Sequence, residues 1–525
     1  MAAEATEVTV VGAGPAGLML ATELALAGVA PTVLESLPGR GAESRALNLH
    51  PRTAEVLDSR GLLDELREYE IVLGTPAHSF FGALPVPLDC APWRTRFPHQ
   101  TGVVQTRVED RLERRLVELG GSVRREHVVT GVRQDDEHVT ADVLTPDGES
   151  SVRTRYLVAC DGGRSTVRRS LGLAFPGSDG RQLFVAADLR LGRPPETWYD
   201  DLDAGRRRFL RLLPGNSLAG VAPVPGGRLM FSLRGLEAGV HRLSFSGPAL
   251  RDTDRAAPVT EAEIRTAIED ACGIDVELKE VLWASRFTDA CRQVEQYRVG
   301  RVLLAGDAAH IIVPLGGQGM NLGLLDAFNL GWKLAAVVKG TAPAGLLDTY
   351  HDERHPVAAD LLREARAQFL LMDDGLDVAA LREVVAGLLR VPETNRHLAG
   401  IVSGLGTRHP VSDQDDGVTG YRMPDLDLVG PAGPTRVHEL LCAGHGVLLD
   451  LGDDPAVTEV VRPWPGRVTG IAAVPTEPFA AQRVLIRPDG HVCWAGDAAD
   501  EAGQLAALHR WFGQAEPAKE TTRRG

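Results

Sequence analysis

The chain has no closely spaced cysteines. Its six, Cys90, Cys160, Cys272, Cys291, Cys442 and Cys493, lie far apart, and none forms a CxxC pair. That spacing excludes a dithiol redox centre and a small-domain disulfide framework, and no Cys/His cluster has zinc-ligand spacing. Buried free thiols in a reducing, cytoplasmic setting are the expectation. Positive charge is also scarce: 56 Lys plus Arg stand against 71 Asp plus Glu, a formal net charge of -15. Such a balance argues against a nucleic-acid backbone or an anionic membrane as the main partner. Long apolar runs are missing. The most apolar early stretch, Leu18 to Val29, is short and carries Glu23, so it reads as a packed helix and not a membrane span. The opening MAAEATEVTV sets no basic segment before an apolar run, and no secretory leader is expected from it.

What the chain has is length, and glycine at strand ends. At 525 residues it exceeds one ordinary core, so two or three domains are expected. A strand over Glu7–Val11 runs into Gly12-Ala-Gly14-Pro-Ala16-Gly17. A helix follows to Ala27, and a second strand, Pro31–Leu34, ends at Glu35. Strand, GxGxxG, helix, strand and acid, in that order, make a dinucleotide site. The first glycine permits the turn, the second lets a pyrophosphate approach, and the third lets helix pack on strand. Glu35 is placed to accept hydrogen bonds from a ribose. A second junction follows the strand Tyr156–Cys160, at Asp161-Gly162-Gly163-Arg164-Ser165. There Asp161 could meet a ligand or simply cap the helix from Thr166. A third follows the strand Val302–Leu304. Ala305-Gly306-Asp307 leads through Pro314 and Gly316-Gly317 into a helix beginning near Gln318. Free N–H groups at that helix start suit a partly anionic, polyhydroxylated ligand.

Between these junctions the character changes. Residues 71–100 are irregular and proline-rich, and Phe80, Phe81, Trp93 and Phe97 there call for burial. Gln105 opens a turn into a helix over Val108–Leu119. Residues 176–290 hold strand-like runs split by Gly/Pro turns, with one helix near Thr260–Ala271, and suit the floor of a substrate cavity. The division expected is 1–175, 176–290, 291–402, a linker at 403–416, and 417–525. The run Ala495-Gly496-Asp497-Ala498-Ala499-Asp500 nearly repeats Ala305 to His310, but no strong apolar strand leads into it and no GGQG follows. It reads as coincidence.

Taken together, GAGPAG with Glu35, CDGGRST at Cys160–Thr166 and AGDAAH…PLGGQGMN at Ala305–Asn321 resemble the class A FAD-dependent aromatic hydroxylases. Further similarity lies in SRALNLHPRTAEVLDSRGLL (Ser44–Leu63), DAFNLGWKLA (Asp326–Ala335) and the tail with VLIRPDGHVCWAG. It is greatest to the phenol-hydroxylase branch, to bacterial hydroxylases of angucycline, anthracycline and tetracycline polyketides, and to rifampicin monooxygenases. The resemblance implies an α/β fold: a Rossmann-like FAD-binding domain, an inserted β-sheet substrate domain and a C-terminal thioredoxin-like domain. Lacking CxxC, that last domain would be structural. It implies FAD, with NADPH or NADH as reductant, O2, a small aromatic substrate, and a monomer or homodimer. Gly12, Gly14, Ala16 and Gly17 would hold the pyrophosphate and Glu35 the ribose. Arg45, Gln105 and Asp161 would contact the cofactor, and Gly306 and Asp307 its ribityl chain. Pro314, Gly316, Gly317, Gly319, Met320 and Asn321 would line the isoalloxazine. No protein nucleophile or metal is required, because a C4a-hydroperoxyflavin carries the oxygen. His310 reads as a loop-fixing histidine before a general base, and Arg286 and Arg292 have no assigned role. A Baeyer–Villiger oxygenase on the same scaffold, and a non-catalytic flavoprotein partner, are the competing readings.

Overall fold

The structure, a computed structural model, describes residues 4–41, 45–71, 79–82, 84–213, 217–313, 316–373, 375–412 and 416–517. Pro314 and Leu315, and the pair Glu43-Ser44, lie outside them. No helix among the described residues is long and apolar enough to cross a membrane.

A sheet with a parallel centre organises the first part of the chain. Its order is Arg298–Val299, Val302–Leu304, Gly148–Ala159, Glu4–Val11, Pro31–Leu34 and Val123–Arg124. Val8, Val10, Leu157, Val158 and Leu303 are wholly buried, as expected of parallel strands covered on both faces. The register aligns Val11 with Ala159 and Leu34, and Ala159 with Leu304. Four strands therefore end side by side, and the residues that follow them meet at one sheet edge. The strand before Cys160 is longer than expected. It begins at Gly148, and its first half pairs back on Val139–Thr145 as a hairpin.

Two helices clamp this sheet, Pro15–Leu26 and Gln318–Val338. They approach closely where side chains are absent. A Cβ at Gly323 would stand 3.1 Å from the Gly306 Cα and 3.4 Å from the Ala16 Cβ. This contact binds the first glycine-rich junction to the third.

The second sheet is antiparallel, with strands Leu210–Leu213, Ser217–Val224, Gly227–Gly235, Val240–Ser246, Leu183–Leu191 and Leu278–Thr288 in that order. The strand Val240–Ser246 and the short helix Ala204–Phe209 had no distinct sequence signal. Helix Glu261–Cys272, opened by a Thr260/Glu263 capping box, covers one face. Near the C-terminus a third sheet runs Val468–Ala472, Gly446–Asp450, Arg483–Ile486, Val492–Gly496, its first pair parallel and the others antiparallel. Helix Glu501–Phe512 packs on it.

Three expectations need correction. In the stretch read as a linker, the described residues 403–412 are no solvated tether: Leu405, His409 and Val411 are buried, and the His409 amide donates to the Gly420 carbonyl. Its polarity serves internal hydrogen bonds. In the proline-rich excursion Phe81 is buried and Trp93 and Phe97 half-buried, while Phe80 is exposed. A strand, Val492–Gly496, does lead into the second AGDAA run, but as the outer strand of its sheet.

Candidate functional site

The three glycines of the first junction have separate tasks. Gly12 takes φ +100°, and a Cβ on it would overlap the Cys160 carbonyl oxygen. A Cβ on Gly17 would overlap the Gly12 carbonyl oxygen. Gly14 faces open space, with nothing within 4 Å of a Cβ position. The first and third glycines thus close the turn, and the second leaves an approach to the helix start. No side chain caps that helix, so its first-turn N–H groups stay available. Glu35 lies beside them. Its Oε2 accepts from the Ala13 amide at 2.8 Å, and its Oε1 from the Leu37 amide at 2.9 Å.

Asp161 does cap its helix, with Oδ2 accepting from the Val167 amide at 3.1 Å. Its Oδ1 is buried and has no partner among the described residues, which leaves one acceptor for a ligand hydroxyl. Asp307 is ringed by protein, yet its side chain is reached by solvent, as on the wall of a cleft. Burial raises its pKa, and the His310 and Arg45 charges partly offset that. Gln105 is the first residue of its helix, earlier than expected, and is stapled to Ala46. Its amide donates to the Ala46 carbonyl at 3.0 Å, and its Oε1 accepts from the Ala46 amide at 3.3 Å. This ties down the segment just after Arg45.

The Gly316-Gly317 turn puts two successive residues in left-handed backbone, φ +68° and +72°. A Cβ on Gly317 would also overlap the Asn48 amide oxygen. Gly317 ends the turn as helix cap without any side-chain cap of its own. Asn321 then knits the first helical turn to the 48–50 segment. Its Oδ1 accepts from the His50 amide at 2.8 Å, and its Nδ2 donates to the Gly317 and Asn48 carbonyls at 2.8 and 3.1 Å. His50 lies between two carbonyl oxygens, Gly316 at 2.7 Å and Val402 at 2.8 Å. Burial lowers its pKa, while the two carbonyls act to raise it. Gly319 places the helix start near Asp307: a Cβ there would stand 4.0 Å from the Asp307 Oδ1. Met320 is half-buried.

His310 is fixed and not poised. Its Nε2 meets Asp326 Oδ2 at 2.6 Å, and Arg354 holds the other oxygen at 2.8 Å. Burial would raise the Asp326 pKa, but His310 and Arg354 outweigh it and hold the carboxyl below its usual range. Arg286 turns to the Glu263 carboxylate and the Ala257 carbonyl on the helix side of its sheet. Arg292 goes to the Phe175 carbonyl and to Asp179. Neither joins the strand-end cluster.

Gly12, Glu35, Asp161, Asp307 and the Gly316–Asn321 turn thus gather at one edge of the parallel sheet, where ligands of such sheets bind. A ligand with an anionic group and hydroxyls fits the uncapped helix N–H groups, the free acceptor of Asp161 and the solvent-reached Asp307 side chain. Asn48 and His50 carry no role in the sequence reading, because neither sits in a glycine motif. The available signal was their place in the Ser44–Leu63 run that shares the family resemblance, just before the helix start at Pro51.

Comparison with known proteins gives the same picture. A family described as the FAD binding domain matches residues 5–365, and one described as aromatic-ring hydroxylase, C-terminal, matches residues 416–515. A 12-dehydrotetracycline 5-monooxygenase/anhydrotetracycline 6-monooxygenase of Streptomyces rimosus is 43% identical over 522 residues, 97% of this chain and 99% of the relative. Among solved structures, the OxyS anhydrotetracycline hydroxylase of Streptomyces rimosus superimposes with TM-score 0.86 at 42% identity, over 97% of this chain and 100% of that one. CabE, an aromatic hydroxylase from angucycline biosynthesis, does so with TM-score 0.83 at 41% identity, over 97% and 100%.

Proposed function

We propose, for a chain that belongs to the FAD-dependent aromatic-ring hydroxylases, that it hydroxylates a polycyclic aromatic polyketide with O2 and NAD(P)H. The observation that carries this is the convergence of three glycine-rich strand ends on one cleft, in a chain whose relatives oxidise anhydrotetracycline and angucycline-pathway substrates. The bound flavin supplies oxygen transfer once a nicotinamide cofactor has reduced it.

In this reading the chain's own residues bind, orient and exclude water. The amides after Gly12, with Gly14 leaving room and Ala16 and Gly17 completing the turn, hold the pyrophosphate. Glu35 accepts from the adenosine ribose, and Asp161, Gly306 and Asp307 address the hydroxylated chain. Arg45, in the loop after the second strand, and Gln105, at its helix start, frame the cofactor. Pro314, Gly316, Gly317, Gly319, Met320 and Asn321 line the ring. The uncapped helix start at Gln318 would stabilise negative charge on a reduced ring bound beside it, worth about 0.3–2 kcal/mol for the dipole. Ile311, Ile312 and Val313 keep the region apolar. The antiparallel sheet, within 176–290, forms the substrate side. The 417–525 segment is read as thioredoxin-like and structural, with the whole acting as a cytoplasmic monomer or homodimer.

The test is anaerobic reduction of the flavin by NADPH, stimulated by a phenolic polyketide, followed by admission of air. A product heavier by one oxygen with an added hydroxyl supports the reading. Tight flavin binding without turnover would sink it, and a ring-expanded lactone would instead establish Baeyer–Villiger chemistry.

A further inference from the structure

The antiparallel sheet has two unlike faces. Leu218, Leu233, Leu243 and Val185 point to the side sealed by helix Glu261–Cys272. On the other side Ala219, Ser232, Ser244, Ala186 and Ser285 stand on five adjacent strands, in register. All five are small, and all but Ala186 are only half-buried although they sit mid-sheet. At a strand spacing of ~4.8 Å they form a flat shelf about 19 Å long. A small-residue row alone says nothing of a ligand. The next row along the strands does.

That row is Arg234, Arg242, Asp188 and Trp283, again in register. It has two guanidinium groups and one carboxylate. Asp188 is fully engaged. Arg242 clasps both its oxygens, with Nη2 to Oδ2 at 2.9 Å, and the Trp283 indole N–H donates to Oδ2 at 2.7 Å. The Arg242 guanidinium also lies 4.8 Å from the Trp283 ring centre. Its Nη1 donates to the Arg45 carbonyl at 3.4 Å, which sets this row against the loop leaving the second strand of the nucleotide sheet. Arg234 has no such match. Among the described residues no carboxylate reaches it, and its one hydrogen bond is a long one, 3.4 Å from Nε to the Ser232 Oγ. The residue is half-buried, and the protein packed around it pulls its pKa down with no acid to raise it. A partly desolvated guanidinium without a carboxylate is a site that an arriving anion would satisfy.

We infer that Arg234 recognises an ionised oxygen, a phenolate, enolate or carboxylate, at the edge of a planar polycycle lying on the Ser232–Ser244 shelf. This rests on the hydroxylase reading and sharpens it: the substrate is an anion at one edge, and the arginine sets how that edge is turned on the shelf. Arg234 is here a specificity residue for binding and takes no part in oxygen transfer.

The test uses the FAD-loaded full chain and two probes of equal shape, anthraquinone-2-carboxylate and anthraquinone-2-carboxamide, with binding followed by the change in flavin absorption. Wild type is expected to bind the carboxylate roughly ten-fold or more tighter, the scale of a charge-assisted hydrogen bond. Arg234→Gln should bring the two probes to within about two-fold, Arg234→Lys should keep most of the preference, and Ser244→Leu should weaken both. No binding of either probe, equal binding by wild type, unweakened binding of both probes by Ser244→Leu, or a preference that survives Arg234→Gln would overturn the assignment. So would a loss of FAD, or a raised KM for NADPH, that left the probe preference intact, since the arginine would then serve a cofactor phosphate. Binding needs no turnover. Selective binding without hydroxylation would therefore refute the hydroxylase reading and leave the shelf standing, and hydroxylation without charge selectivity would do the reverse.

Discussion

Burial among protein atoms raises the Asp307 pKa, although its side chain still reaches solvent. A carboxylate in such a place gains most from ligand hydroxyls that donate to it, a contact worth about 1.5–3 kcal/mol. Asp497 has the same neighbours in sequence but a different life. Both side chains reach solvent, but the Asp497 Oδ1 already accepts from the Ala499 and Asp500 amides at 2.9 and 3.1 Å, closing a turn. Asp307→Ala should therefore lower bound flavin per chain about ten-fold or more at limiting flavin, while Asp497→Ala leaves it unchanged. The ratio of flavin to protein absorbance in the purified variants reads this directly, and equal ratios would refute it.

At the scale of elements, the Gly316-Gly317 turn and the helix it opens depend on a segment more than 260 residues earlier. Asn321 makes three bonds to that segment and to the turn. Asn321→Ala leaves the His50 amide without its partner in a buried place and frees the turn carbonyl, a cost of about 2–4 kcal/mol. The expected result is a lower Tm together with a weaker flavin Kd. A lower Tm with an unchanged Kd would mean that these bonds stabilise the fold without positioning the loop.

For the whole molecule, the same helix joins the cleft to the C-terminal sheet. Its far end carries Lys333, fully buried, bonded to Glu353 at 2.8 Å. Glu353 takes Arg487 from the C-terminal sheet at 2.7 Å, and Arg487 pairs in turn with Asp489. His409 and His491 lie against this cluster with ring centres 4.1 Å apart. Burial lowers the His491 pKa to about 4, despite the opposing pull of Asp489, and lowers that of His409 well below its usual value. A histidine held neutral in the fold contributes stability above its ordinary pKa and loses it as pH falls toward the folded value. His491 alone should cost about 2 kcal/mol between pH 7 and pH 5, and His409 acts in the same direction. Glu353 and Asp489 are held well below the carboxylate range, so their contribution persists through this window. Denaturant unfolding at pH 7 and pH 5 checks this. His491→Gln should flatten the difference, and an unchanged slope would rule out the histidine as its source.

Much of the site was open to reading because its motifs are local. A GxGxxG turn, an acid after a strand and a glycine pair before a helix each obey backbone rules that act within a few residues, and so Gly12, Glu35, Asp161, Asp307 and Gly317 could be picked out in order. The presence of the buried strands before these turns likewise follows from their apolar runs. What only the tertiary structure decided depends on pairs distant in sequence. Asn48 and His50 matter because Asn321 and Gly316 come to them. Residues 403–412 are buried in part because the C-terminal sheet folds over them. Arg234 stands without an acid because strand register gives Asp188 to its neighbour. Register, and the choice of partner for a buried charge, are settled by packing between strands that no local pattern connects.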